Sequence, residues 1–102
     1  MTAGQSNALR SAEDYLSMSP FSRKGLIQQL SSDAGDGYSK KDATFAADHV
    51  DVSWKEQAAK AAKNYLDMSG FSRDGLIQQL HSDAGDGYTL KQAKYGVDKA
   101  GL

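Results

Sequence analysis

The residues best placed to do chemistry lie in two copies of one loop rich in aspartate and glycine. Residues 32–38 read SDAGDGY, and residues 82–88 read the same. Carboxylates this close together suggest a calcium site, but a loop of EF-hand type needs oxygen-bearing side chains at positions 1, 3 and 5. Counted from Asp33, positions 3 and 5 are Gly35 and Gly37. The spacing therefore predicts a structural turn, with no metal and no cofactor.

The glycines of these loops favour that structural interpretation. We expect Gly35 and its counterpart Gly85 to end a helix in the left-handed conformation. The Asp-Gly dipeptide that follows each of them is typical of a turn.

The aspartates of both loops nevertheless offer a surface for recognition. Repeated acidic loops could attract a basic partner, because complementary charge steers association. The alternative is a solvated loop with no partner. The candidate partner-binding residues are Asp33, Asp36, Asp83 and Asp86.

No pattern in the chain indicates catalysis. The absence of cysteine excludes disulfides, thiolate metal sites and cysteine nucleophiles. No serine sits in a glycine-flanked nucleophile elbow, and no glycine loop of the phosphate-binding kind is present. The two histidines, His49 and His81, do not occupy equivalent positions in the two copies. We therefore predict a protein that is not an enzyme and has no small-molecule substrate.

The elements that hold these loops come from a repeat with a period of 50 residues. Aligning residues 5–52 with 55–102 gives 25 identities in 48 positions. A period of this size marks a supersecondary unit that has been copied. We expect a disordered or non-native start at residues 1–5, one repeat at residues 6–51 and a second at residues 52–102.

Each copy reads as three helices. In the first helix, apolar residues recur at spacings of four, seven and eight, beginning at Ala8 and Ala58, and this places them on one face. Small residues dominate the third helix and allow it to approach its neighbours closely. No segment alternates between apolar and polar residues as a strand would. The predicted fold is all-α, with two tandem three-helix repeats of helix-turn-helix type.

Capping residues predict where these helices begin. Ser22 and Ser72 are suited to cap the second helix of each copy, and Ser39 and Thr89 the third. Ser53, three residues before a glutamate, fits a capping box and predicts a helix that starts near Trp54. Trp54 itself, at the junction of the copies, is expected to pack at an interface or linker.

A set of identical residues forms the structural signature of the repeat. An arginine opens the second helix, where a cation opposes the helix dipole, so we expect an intramolecular carboxylate beside it. The glycine two residues later suggests that another backbone or an aromatic ring comes close. A phenylalanine and a tyrosine precede the second and third helices at hydrophobic-staple positions. The signature residues are Phe21, Arg23, Gly25, Tyr38, Phe71, Arg73, Gly75 and Tyr88.

The overall charge disfavours nucleic acid as a partner. Twelve Lys and Arg residues face 13 Asp and Glu residues, a formal net charge of -1. Such a balance produces no basic field of the kind that general nucleic-acid binders carry. The connection of second to third helix nevertheless leaves a helix-turn-helix DNA-binding protein as an alternative. No heptad pattern is present, and we expect a monomer.

The same repeated residues carry a resemblance to a known family. The run AxxxAxxYL is followed by FSRxGLIxQL, by SDxGDGY and then by Ala-x-Tyr or Ala-x-Phe, in both copies. These motifs cover the chain from about residue 7 to residue 100. They resemble the Ltp-type host cell surface-exposed lipoprotein repeat, whose best-known members are prophage-encoded superinfection exclusion proteins.

That resemblance implies a function at the cell envelope. The protein would be held by a lipidated N-terminal cysteine on the outer face of the cytoplasmic membrane of a Gram-positive host, and this chain would be its soluble ectodomain. It would block injection of DNA from an incoming phage, by binding the phage tail tape measure protein. A cell-surface adhesion or cell-wall-binding module is the other alternative.

Overall fold

The computed structural model describes residues 1–102 and contains six helices and no strand, which confirms the all-α prediction. The helices are α1 Ala3–Met18, α2 Arg23–Ser31, α3 Lys40–His49, α4 Trp54–Met68, α5 Arg73–His81 and α6 Leu90–Lys99. Each copy of the sequence repeat thus forms the three helices expected of it.

The chain divides into two compact units. The first comprises residues 1–19 and 23–51, and the second comprises residues 20–22 and 52–102. Within the second unit, the Phe21 amide donates to Gln57 Oε1 (3.3 Å) and the Ser22 hydroxyl donates to the Asp86 carbonyl. These bonds satisfy Gln57 and Ser22, which are the buried polar residues of the molecule.

In both units the first helix packs mainly against the third, and the second helix completes the core. The predicted apolar faces lie toward the core: the alanines of the first helix are buried, and the tyrosine and leucine that follow them are partly buried in both units. The first unit buries Ala8, Ala12, Leu26, Leu30, Ala43, Ala46 and Ala47. The second buries Ala58, Ala61, Ala62, Leu76, Leu80, Tyr88, Ala93 and Val97.

Small residues do bring the first and third helices close together. In the second unit a Cβ atom added to Gly96 would lie 2.7 Å from the backbone carbonyl of Ala58. Because the atoms it would meet belong to a helix backbone, α4 and α6 could not keep their spacing with a larger residue at this position.

Three of the predicted caps accept hydrogen bonds as expected. The side chains of Ser39, Ser72 and Thr89 each accept a hydrogen bond from an amide in the first turn of the helix that follows. The helix predicted near Trp54 does start there, but the capping box predicted at Ser53 is wrong, since the Ser53 side chain makes no cap hydrogen bond. The Glu56 carboxylate, which would have closed that box, instead accepts from the Tyr95 hydroxyl.

The start of the chain differs from the unstructured segment expected at residues 1–5. Helix α1 begins at Ala3, because Thr2 and Gln5 form a complete capping box. The Gln5 amide donates to Thr2 Oγ1 (3.1 Å), and the Thr2 amide donates to Gln5 Oε1 (2.8 Å). Two amides of the first turn are thereby satisfied.

Candidate partner-binding surface

The two acidic loops, residues 32–38 and 82–88, fold back onto the helices that precede them. In the first loop the Asp36 amide donates to the Gln29 carbonyl (3.2 Å), and the Tyr38 amide donates to the Leu30 carbonyl (2.8 Å). The second loop repeats both bonds at 3.0 and 2.9 Å. Because these backbone donors are used internally, each loop is a closed turn held against the helix that precedes it.

The glycines of these loops act in a different way from the one predicted. Left-handed backbone occurs at Gly37 and Gly87, with φ of 71° and 77°, and not at Gly35 or Gly85. A Cβ atom on Gly35 would lie 2.1 Å from the carbonyl oxygen of Gln29. The first glycine of each loop is therefore required by a close approach of backbone, and the Asp-Gly turn contains the left-handed residue.

A repeated set of side chains ties each loop to the first helix of its unit. The Tyr15 hydroxyl donates to Asp36 Oδ1 (2.8 Å) and accepts from Gln29 Nε2 (3.3 Å). In the second unit, Tyr65 donates to Asp86 Oδ1 (2.9 Å) and accepts from Gln79 (3.3 Å). The apolar spacing of the first helix predicted that both tyrosines belong to the apolar face. That the same position is tyrosine in both repeats was the one sequence signal of a polar role.

The four candidate aspartates consequently differ in their surroundings. Asp33 and Asp83 are exposed, as is Asp36, whereas Asp86 is half-buried. Burial raises the pKa of the Asp86 carboxyl above its ordinary value of 3.8. Since the folded-state pKa is the higher one, Asp86 favours the fold when protonated, and that contribution is lost as the pH rises through the raised pKa. Binding of a partner by these aspartates stays a prediction.

The repeated arginines have the intramolecular carboxylates that were expected. Arg23 donates through Nε to Asp48 Oδ1 (2.7 Å) and through Nη2 to Oδ2 (3.2 Å), and Arg73 Nη1 donates to Asp98 Oδ1 (2.6 Å). The hydrogen bond from the guanidinium lowers the pKa of Asp48. Both pairs are well exposed, so each contributes at most about 1 kcal/mol to folding.

Three further signature residues make contacts within their own unit. Phe71 packs against the core and meets the Tyr65 ring edge-on, with centroids 5.6 Å apart. The close approach expected at Gly75 comes from the cap hydroxyl of Ser72, 2.9 Å from an added Cβ, and not from another backbone or a ring. Tyr38 lies with its hydroxyl 2.8 Å from Ser11 Oγ and donates to the Asn7 carbonyl.

Trp54 lines an open pocket of about 340 Å³ in the second unit, together with Ser53, Lys55, Lys91, Gln92 and Tyr95. The ammonium group of Lys55 lies 4.9 Å from the centre of the Tyr95 ring. Trp54 is half-buried in this arrangement.

No group of three or more histidine, aspartate or glutamate side chains is arranged to hold a metal ion. None of the six helices combines the length and the apolar character that crossing a membrane requires.

Comparison with known proteins agrees with this architecture. The family model described as host cell surface-exposed lipoprotein matches residues 4–50 and again residues 53–99. A search of curated proteins found no match. Among solved structures, the chain is similar to Ltp, a superinfection exclusion protein from the Streptococcus thermophilus temperate phage TP-J34. The two share 30% sequence identity and a TM-score of 0.86, over 100% of this chain and 98% of that one. The chain belongs to the family of host cell surface-exposed lipoproteins, with one family repeat in each half.

Proposed function

We propose that this protein acts in superinfection exclusion at the cell envelope. The observation that carries the proposal is the match over the whole chain to a superinfection exclusion protein, at 30% identity and a TM-score of 0.86. Both repeats, with their loops, therefore correspond to a protein of that function. The proposed location is the outer face of the cytoplasmic membrane, where a lipid anchor would hold the two units.

The proposed mechanism is the block of DNA injection through binding of the incoming phage's tape measure protein. Rigid three-helix units with closed loops support a role in binding, since each presents fixed side chains that lose little conformational entropy on association. Such an action requires no chemical step. It requires only that the complex outlast the moment at which the tail would open a path for DNA.

Phage challenge of cells that express a membrane-anchored form tests this function. We expect normal adsorption and no delivery of phage DNA into the cytoplasm. Cells that display the same anchor fused to an unrelated helical domain are the control. Unchanged infection by a panel of phages that adsorb to the host would contradict the proposal.

The mechanism has its own measurement. The purified chain should bind tape measure protein in solution, and phages that escape exclusion should carry changes in that protein. Escape changes confined to the receptor-binding proteins of the tail would instead place the block at adsorption.

A further inference from the structure

An exposed methionine lies at the end of the first helix in each unit. Met18 and Met68 are the last residues of α1 and α4, and they are 72% and 76% exposed. A side chain this exposed adds little to the core, and isolated apolar residues on a surface need no special explanation. What sets these two methionines apart is their repetition and their surroundings.

The repetition is unusual for this face of the helix. Four other positions of the first helix are exposed in both copies, and the residue differs between the copies at every one of them. They pair Arg10 with Lys60, Glu13 with Lys63, Asp14 with Asn64 and Ser17 with Asp67. Because surface changes are nearly neutral for stability, the fold does not require methionine at the fifth position. Its presence in both copies points to a demand from outside the fold.

The surroundings of Met18 combine apolar and negatively charged side chains. A pocket of about 220 Å³ is lined by Ser11, Asp14, Tyr15, Met18 and Asp36. The Tyr15 ring and the methionine thioether supply apolar surface, and the two aspartates supply charge. In the second unit, Tyr65 and Asp86 make the same hydrogen bond as their counterparts, Asn64 stands where the first unit has Asp14, and Asp67 precedes Met68 in the sequence.

We propose that Met18 and Met68 are the centres of two docking patches, the first the more acidic, each taking an apolar side chain flanked by lysine or arginine on a segment of a protein partner. The inference rests on the proposed function, because that function requires a protein partner. A thioether is flexible and polarizable and adapts to differently shaped apolar groups. The aspartates around it favour a basic segment over an acidic one.

Methionine methyl NMR tests the patches directly, since the chain contains three methionines. Met1 is 79% exposed and acts as an internal control for Met18 and Met68. The probe is a 14-residue amphipathic peptide of lysine and leucine, compared with lysine-serine and glutamate-leucine peptides of equal length. We expect the lysine-leucine peptide to shift the Met18 and Met68 signals and to leave Met1 unchanged. Equal shifts with the lysine-serine peptide, equal shifts at all three methionines, or no shift would overturn the inference.

Isosteric polar variants measure what each methionine contributes. We expect each single variant, M18Q or M68Q, to lose one of two peptide-binding sites, and the double variant to bind the lysine-leucine peptide about tenfold more weakly at both, the loss typical of one apolar contact. Leu90→Gln, at an apolar residue 43% exposed elsewhere, is the matched control and should bind as the parent chain does. Unfolding midpoints should be the same for all of these chains. Binding by the double variant at parental affinity would overturn the inference.

The phage challenge separates this inference from the function on which it rests. If the anchored parent chain excludes phage and the double methionine variant does not, the proposed function and the docking patches are both supported. If both chains exclude equally well, the patches are overturned and the proposed function remains. If the parent chain fails to exclude, the proposed function fails, and the peptide titration still decides whether the patches bind basic apolar segments.

Discussion

At the scale of the residue, the two units differ in how they accommodate one tyrosine. Tyr88 is 2% exposed, and its hydroxyl has no hydrogen-bond partner. Its counterpart Tyr38 has two, Ser11 Oγ and the Asn7 carbonyl. The position equivalent to Ser11 is Ala61, so the second unit has lost the hydroxyl that would satisfy the tyrosine. Burial without a partner also raises the pKa of Tyr88.

This difference predicts opposite responses to the same substitution. Tyr38→Phe should lower the free energy of unfolding by about 1 kcal/mol, because it removes a satisfied hydrogen bond. Tyr88→Phe should change it by less than about 0.5 kcal/mol or raise it, because the hydroxyl is buried without a partner. Ala61→Ser should raise it by about 1 kcal/mol by restoring the partner. Urea unfolding followed by circular dichroism measures all three, and an equal loss for both phenylalanine variants would contradict the argument.

At the scale of the element, the spacing of α4 and α6 depends on Gly96. The neighbouring atoms are backbone atoms of Ala58 and Ala59, which cannot rotate away as a side chain could. The first unit has Ala46 at the same position and buries it fully. Both units therefore place a small residue where the first and third helices pack.

Gly96→Ala should destabilise the second unit by about 1–2 kcal/mol. Overpacking costs about 1–3 kcal/mol, and the better helix propensity of alanine returns part of it. Gly70→Ala is the matched control, because nothing lies within 4 Å of a Cβ there and its φ is not positive. The control should leave the unfolding midpoint unchanged or raise it slightly. Equal midpoints for the two alanine variants would show that α4 and α6 are free to separate.

The helices were predictable from sequence because their signals are local. Apolar spacing and the caps at Ser72 and Thr89 act within one or two turns and were identified correctly. The capping box at Ser53 failed because Glu56 finds a partner in α6, 39 residues away, and no local pattern records that competition. The loops were identified as turns, but which glycine takes the left-handed conformation depends on how the chain folds back onto Gln29. The link from Tyr15 to Asp36 spans 21 residues and was missed for the same reason.

At the scale of the whole molecule, the near-neutral charge makes any electrostatic recognition local. The first half of the sequence, residues 1–51, has 5 basic and 7 acidic residues, and residues 52–102 have 7 basic and 6 acidic, giving -2 and +1. A net charge of -1 offers little long-range attraction for a basic partner. A dependence of binding on salt would therefore come from a few groups, and the exposed loop aspartates are the strongest candidates.

A pair of variants with the same net charge tests whether that attraction is local. D33N/D83N removes one exposed charge from each loop and leaves the aspartates bonded to Tyr15 and Tyr65 in place. E13Q/D74N removes one exposed charge from each repeat outside the loops, and both variants change the net charge from -1 to +1. We expect the loop variant to bind tape measure protein more weakly and with less dependence on salt, because charge screened by salt acts only over about 10 Å at 0.1 M. The control should keep the parental affinity and salt dependence. If both variants lost affinity equally, the partner would be responding to the charge of the whole molecule. If both variants kept the parental affinity, the loop aspartates would not belong to the binding surface.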